Sequence, residues 1–396
     1  MTLLVLAGLA VGGETVAAQA AGGGPEAGTA DWASVSAGGG YTCGIRTTGR
    51  LYCWGTDYGS FGFLGTGVAP DSRTTPTEVV GGFTDWTAVA AGSTHTCGRR
   101  STGRLYCWGN DDNGQVGNGA TTGRQPSPVE VAGGFTDWTN KVAIGSTHTC
   151  AIRTGGRLFC WGRDDNGQVG NGAATGDQPS PVEVAGSRTD WAKVAAGGNH
   201  TCARRSTGRL FCWGNDDNGQ VGNGATTGDQ SSPVQVVGNR TDWTAVTAGG
   251  SHTCARRSTG RLFCWGANGT GQLGIGSPGD RHRPVEVAGS RTDWTGAIHA
   301  GSVNHTCARR STGRLFCWGA SGNGQLGNGN AANQIEMTPD QVAGNRTDWT
   351  RVSAGGYHTC ARRSNGRLFC WGTNTDGQLG TGGGPSDQDQ PVEVAA

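Results

Sequence analysis

The residues of this chain with the most obvious chemistry are seven Cys-x9-Cys pairs: Cys43 with Cys53, Cys97 with Cys107, Cys150 with Cys160, Cys202 with Cys212, Cys254 with Cys264, Cys307 with Cys317 and Cys360 with Cys370. In the fourth, His200 stands two residues before the first cysteine. Two thiolates and an imidazole on one face of a hairpin are a donor set for zinc. Two thiols brought together in an oxidising compartment instead form a disulfide. The second reading is favoured. All fourteen cysteines have an evident partner, and the first pair keeps both cysteines where Tyr41 takes the histidine's place. The histidine is then structural, bonding backbone in the Gly-rich turn before it, and neither metal nor cofactor is expected.

Other candidate chemistry is thinner. The runs Asp111–Gly114, Asp164–Gly167 and Asp216–Gly219 faintly resemble calcium loops, but the bidentate glutamate and flanking helices of an EF-hand are missing. They read as turns. Catalysis needs an asymmetric constellation, and almost every polar residue here is repeated. Five glutamates (Glu78, Glu130, Glu183, Glu286, Glu393) occupy the same place in different units. His299 is a singleton without a placed partner. No catalytic residue is nominated, and the expectation is a non-enzyme.

The elements that must position these residues follow from the repeat. First cysteines recur every 52 to 54 residues, each second cysteine is followed by Trp, and another Trp lies about ten residues before the first cysteine. In the unit Asp190 to Val237, four strand candidates are separated by Gly-rich turns: Ala192–Ala196, His200–Arg204, Leu210–Trp213 and Pro233–Val237. Pairing Cys202 with Cys212 sets Ala203 opposite Phe211, Arg204 opposite Leu210 and Arg205 opposite Arg209. The loop left over is Ser206-Thr207-Gly208, with Gly at the left-handed third place. The cysteines then occupy a close, non-hydrogen-bonded position suited to a cross-strand disulfide, adding roughly 2–3 kcal/mol each. Side chains alternate along a strand, so Phe211 and Trp213 share one sheet face while Leu210 and Cys212 share the other. A small sheet apolar on both faces must be covered on both. Seven such sheets cover one another in a closed ring, and the predicted fold is all-β: a seven-bladed β-propeller of four-stranded blades with one hairpin disulfide per blade. The last strand, Pro391–Ala396, is expected to latch the first blade; the alternative is that units and blades coincide.

Composition sets the remaining bounds. Net charge is +1 over 396 residues, with 75 glycines. Global charge therefore points away from nucleic acid, and glycine serves many tight turns. Residues 1–21 look like the apolar core and small-residue cleavage site of an export signal, without its basic start; the alternative is an Ala/Gly tail. Residues 22–30 read as a linker and 31–396 as the propeller. No other stretch approaches the ~18 apolar residues of a membrane span.

Two surfaces are candidates for binding. The hairpin tips carry more than half of the 31 basic residues, including Arg204, Arg205, Arg209, Arg256, Arg257 and Arg261. All tips emerge on one face of a propeller. Like charges facing each other are unfavourable, so these arginines are either solvated or satisfied by an anion. Aspartates of the long loops lie on the opposite face, making an electrically two-sided disk. The second surface is aromatic: Tyr58, Phe61 and Phe63 in an irregular loop of the first unit, with Tyr41 and Tyr357 in turns of the first and last units. These residues either anchor a partner or fill the seam where the ring closes.

The string His-Thr-Cys-Ala…Gly-Arg-Leu-Phe-Cys-Trp-Gly…Asn-Gly-Gln-Val-Gly-Asn-Gly, repeated over residues 31–396, resembles the repeat of the regulator of chromosome condensation family. The resemblance implies a seven-bladed propeller, and the paired cysteines are similar to those of its secreted, disulfide-bearing variants. The founding nuclear member exchanges nucleotide on the GTPase Ran. Its basic N-terminal tail has no counterpart here. Another relative in kind is a secreted propeller that inhibits an enzyme by docking one face on it. The expectation is an exported (secreted, periplasmic or cell-surface) monomer that docks a protein partner, acidic if the arginines are used, on one face. A guanine-nucleotide exchange factor-like regulator and an enzyme-inhibitor-like propeller are the alternatives.

Overall fold

In a computed structural model, the chain is described from residue 31 to 395, apart from 58, 60, 69–71, 122, 174–175, 226–227 and 331–334. The signal-like segment 1–21, the linker 22–30 and Tyr58 lie outside the described residues. The propeller expectation holds: seven separate four-stranded sheets, each built from four consecutive antiparallel strands. The fourth blade comprises Trp191–Ala196, His200–Arg205, Leu210–Gly214 and Gln230–Gln235. The inner three strands fall within a residue or two of expectation. The outer one begins earlier, because pairing with the third strand resumes at Gln230↔Gly214 after a bulge.

The hairpin register is the one its cysteines dictate. Cys202 pairs with Cys212, Ala203 with Phe211 and Arg204 with Leu210. Arg205 N–H donates to Arg209 C=O at 2.9 Å, and Gly208 sits at φ +77°. All seven expected disulfides are formed: Cys43 to Cys53, Cys97 to Cys107, Cys150 to Cys160, Cys202 to Cys212, Cys254 to Cys264, Cys307 to Cys317 and Cys360 to Cys370. Their Cα–Cα separations are 4.0–4.1 Å, the close cross-strand spacing that the register implied.

Neighbouring blades cover each other's apolar faces as the alternation requires. Phe211, Trp213 and Trp191 of blade 4 pack on Cys150, Leu158 and Cys160 of blade 3. The opposite face, with Cys202, Leu210 and Cys212, packs on Trp243 and Trp265 of blade 5. The same contact recurs around the ring. Cys43 and Cys53 meet Trp86 and Trp108, Cys97 and Cys107 meet Trp138 and Trp161, Cys254 and Cys264 meet Trp294 and Trp318, and Cys307 and Cys317 meet Trp349 and Trp371. Each disulfide is thus buried under the tryptophan pair of the next blade. Each buried ring removes about 150–250 Å² from water.

A polar joint crosses every interface beside this contact. The Gln168 C=O of blade 3 accepts Trp213 Nε1–H at 3.0 Å and Thr201 Oγ1–H at 2.8 Å, both from blade 4. His148 Nε2 of blade 3 meets the same Thr201 hydroxyl at 2.9 Å. The hydroxyl's proton is committed to the carbonyl, so the histidine donates through Nε2–H, and with no partner for a proton at its buried Nδ1 the ring is neutral. The histidine therefore bonds the next blade's threonine, which corrects the expectation of a bond to its own turn. In blade 1, Tyr41 takes this place. Its hydroxyl reaches Thr96 and the His95 carbonyl at 2.8 Å each.

The ring closes without a latch. Gln388–Glu393 pairs with the third strand of its own blade, so units and blades coincide. Closure uses the ordinary joint: Trp54 Nε1–H and Thr42 Oγ1–H donate to Gln378 C=O, and His358 meets Thr42. Trp32 and Trp54 lie against the Cys360–Cys370 disulfide.

The joint has measurable consequences for stability. Gly170 has φ +77°, and a Cβ there would sit 2.3 Å from Trp213 Nε1. Gly170→Ala should cost about 3 kcal/mol, backbone strain plus collision. Gly134→Ala, at φ +60° with open space around it, should cost only about 1 kcal/mol. Equal losses in denaturant titrations would mean that the close approach to the indole is unimportant.

The six joint histidines are fully buried, and burial pushes them down to about 3 or 4. Their folded values lie below the ordinary 6.5, so the unfolded chain takes up protons first. The stability they contribute is complete above pH ~6.5 and is lost as pH falls toward 4, at about 1.4 kcal/mol per pH unit for each histidine. The buried carboxyls of Asp164, held up to about 6, and Asp216, also raised by burial, act in the opposite direction but are outnumbered. The melting temperature should therefore drop steeply between pH 6.5 and 4.5. A flat profile across that range would contradict the neutral-histidine joint.

Candidate functional site

Each of the sequence-derived sites has a definite place in the fold. The zinc donor set does not assemble: the sulfurs are bonded to each other, and the histidine faces the neighbouring blade's threonine. The aspartate turns are stapled from within. Asp111, Asp164 and Asp216 are buried, and each accepts the N–H of a valine five residues on. His299 accepts the Ala354 N–H of blade 7 through Nδ1 at 3.2 Å. In other blades Ser36, Thr247 and Ser353 hydroxyls make the corresponding bond.

The aromatic patch largely fills the joint between blades 1 and 2, not the seam where the ring closes. Tyr41 is fully buried and Phe63 is 5 % exposed. They stack on each other with centroids 5.7 Å apart, and Phe61 stacks on Phe63. The irregular loop plugs the joint between blades 1 and 2, where the Phe63 carbonyl replaces the glutamine carbonyl under Trp108 and Thr96. Tyr41 and Phe63 are therefore not partner anchors, because their rings are spent on the core. Phe61 is half-buried. Tyr357 is 48 % exposed and stays a surface aromatic.

The arginine tips need the larger correction. Of the three tip positions, the first of which is Ile45 and Ile152 in blades 1 and 3, the second is an arginine in all seven blades and pairs with the aspartate that precedes its blade's first tryptophan, as Arg205 does with Asp190 and Arg257 with Asp242. The third pairs with the outer-strand glutamate in five blades, as Arg261 does with Glu286. The recurring glutamates are thus counter-charges. The first arginine is half-buried, and burial lowers Arg99, Arg204, Arg256 and Arg362. In three blades it caps a main-chain carbonyl at the start of the next blade's first strand: Arg99 on Trp138, Arg309 on Trp349 and Arg362 on Trp32. Most of the expected basic ring is neutralised by the repeat itself, and the fully two-sided disk is not formed.

What is left is asymmetric. Blades 4 and 6 carry Gln235 and Gln341 in the glutamate's register, so the exposed Arg209 and Arg314 have no carboxylate partner among the described residues. Blades 4 to 7 are entered through Arg188, Arg240, Arg291 and Arg346 where blades 2 and 3 have Phe83 and Phe135. Unpaired positive charge on the tip face is concentrated over one half of the ring.

Inside the ring, the seven first strands enclose a central channel of 410 Å³. Its lining is mainly Ala, Gly and Val, with Lys193, His299 and Arg351 as the titratable side chains.

Comparison with known proteins agrees with this architecture. An RCC1-like domain model matches residues 83–396, and models of the regulator of chromosome condensation (RCC1) repeat match 48–98 and 32–62. The Arabidopsis thaliana ultraviolet-B receptor UVR8 is 32% identical over 359 residues, 88% of this chain and 78% of its own. The mitochondrial RCC1 domain-containing protein RUG3 of the same plant is 30% identical over 322 residues, 77% of this chain and 69% of its own. Among solved structures, yeast RCC1 (Prp20) bound to Kap60 superposes with a TM-score of 0.74 at 21% identity, covering 88% of this chain and 84% of that one. Repeat motif, seven-bladed architecture and these matches agree, and the chain belongs to the family of RCC1-like propellers.

Proposed function

We propose that this chain is an exported, non-catalytic protein-interaction module that docks an acidic partner on the hairpin-tip face, over blades 4 to 7. The observation that carries the reading is the sector of exposed arginines without counter-charge, Arg209 and Arg314 above all, in a molecule that pairs the equivalent arginine in every other blade. Charge of one sign on a rigid surface steers an oppositely charged partner and fixes its register. That one propeller of this shape, yeast Prp20, was solved bound to Kap60 and studied for its binding to Gsp1p and histones supports protein docking as the mode. Seven closed disulfides support export over an intracellular exchange-factor role. Thiol titration of native protein from its host should find no free cysteine; fourteen would favour the intracellular role.

The docking reading is tested with photo-crosslinkers at the tips, in place of Thr207 and Thr312 on blades 4 and 6 and of Thr48 on blade 1. A partner from the extracellular fraction should be trapped at the first two and not at the third. Its binding should fall steeply with salt. Arg209→Glu with Arg314→Glu should weaken it about tenfold or more at unchanged melting temperature. Equal trapping at blade 1, or affinity indifferent to salt, would refute the sector.

A further inference from the structure

The channel has an uneven charge that neither the fold nor the docking reading uses. Lys193 comes from blade 4, His299 from blade 6 and Arg351 from blade 7, and no carboxylate is among the described lining residues. Although blades 5 and 6 stand between Lys193 and Arg351, their charges interact. Lys193 keeps its side chain exposed to the channel but is walled by protein, and that desolvation is the main cause holding it below its usual range, with Lys141, Arg204 and Arg351 adding to it. His299 is pushed down to about 4, first by burial and then by Lys193. Arg351 acts likewise on Arg362, after burial. Cations from blades 4 and 7 thus face one channel with no counter-ion among the described lining residues.

Their depth is fixed by register. Lys193 pairs across the sheet with Arg204, and Arg351 with Arg362, just below the hairpin tips, so these two cations lie at the tip-face mouth, and His299, paired with Cys307, lies deeper in the channel on the same side of its strand. The same place is filled by Ser34, Ala88 and Ala245 in blades 1, 2 and 5, so the fold does not require a cation there. His299 adds a directed donor. Its Nδ1 accepts Ala354 N–H, which leaves the proton of the neutral ring on Nε2. Lysine and arginine lining one concave site lose repulsion when a multiply charged anion enters. The enclosed 410 Å³ lies within the ~300–1,000 Å³ typical of small-molecule pockets.

We propose that the tip-face mouth of the central channel is a binding site for a small polyvalent oxyanion, held between the Lys193 ammonium and the Arg351 guanidinium, with the His299 Nε2–H as a neutral donor. A small ligand is favoured over an acidic peptide because the cations surround a confined space rather than line an open surface. The site does not depend on the docking reading, whose arginines lie out on the rim.

The test titrates the full chain with tripolyphosphate by calorimetry and thermal shift at low ionic strength. One molecule should bind per chain and raise the melting temperature. Lys193→Met with Arg351→Met should weaken binding by about tenfold or more, while its unliganded melting temperature is unchanged or higher because repulsion is relieved. Arg209→Gln with Arg314→Gln should leave tripolyphosphate binding intact, which separates this site from the rim. Absence of binding, several equivalent sites that survive the Lys193/Arg351 change, or a lower unliganded melting temperature in that variant would overturn the assignment. Tighter binding of a glutamate peptide of equal charge would do the same.

Discussion

One main-chain carbonyl per blade organises this molecule. The carbonyl of the glutamine after the long-loop turn accepts two side-chain donors from the next blade, an indole N–H and a threonine hydroxyl, and the hydroxyl in turn accepts a histidine N–H. Every member is buried, so the carbonyl, the indole N–H, the hydroxyl and the histidine Nε2–H each need a partner, and only the histidine Nδ1 is left without one. Each therefore constrains the others. The indole can reach the carbonyl only if the residue two places after the glutamine has no side chain, which makes Gly117, Gly170 and their equivalents part of the joint rather than of the turn alone. The apolar contact beside it, a disulfide under two tryptophans, supplies burial, while the hydrogen bonds supply register between sheets that share no strand pairing. The seam between the first and last blades is made the same way, so no strand needs to be exchanged to hold the circle.

Local geometry was legible in the sequence, and relations between blades were not. The Cys-x9-Cys spacing, the three-residue turn ending in Gly208 and the period-two alternation of Phe211, Cys212 and Trp213 together determine hairpin and disulfide, and from them the need for two covered faces. The histidine's partner lies 53 residues away in the adjoining blade for His148 and His200, and no local pattern announces it. The last strand, Pro391–Ala396, suggested a latch only because a repeat can be divided at any point along its period.

The arginines show how such a reading goes astray. Viewed across the hairpin, Arg205 faces Arg209 and the tip looks like uncompensated charge. The carboxylates that answer it stand 15 residues before Arg205 and, in blades with glutamate, about 26 residues after the arginine equivalent to Arg209. The signal was present in the five glutamates recurring at one place in different units. Its meaning depends on the first and fourth strands flanking the hairpin, so that both acids reach the same rim. The aromatic loop was ambiguous for a related reason. Tyr41 replaces a histidine and Phe63 stands in for a glutamine, and both substitutions preserve the joint with other chemistry.

In a sevenfold repeat, whatever every unit shares maintains the ring, so binding specificity must arise where the units differ. The differences are not scattered. Gln235 and Gln341, the arginine connectors from Arg188 to Arg346, Lys193 and Arg351 fall in blades 4 to 7, with Lys141 next to them in blade 3, whereas the irregular loop that plugs a joint falls in blade 1. Removing a glutamate from the outer strand costs the fold little, since an exposed ion pair of this kind contributes about 0–1 kcal/mol, yet it releases a full positive charge at the surface. A cation on the channel-facing side of an inner strand likewise displaces no core residue, because the interior packing of each blade is made on its two broad faces. The unpaired charges therefore occupy the positions where this scaffold can change at least cost to the joints that hold it together.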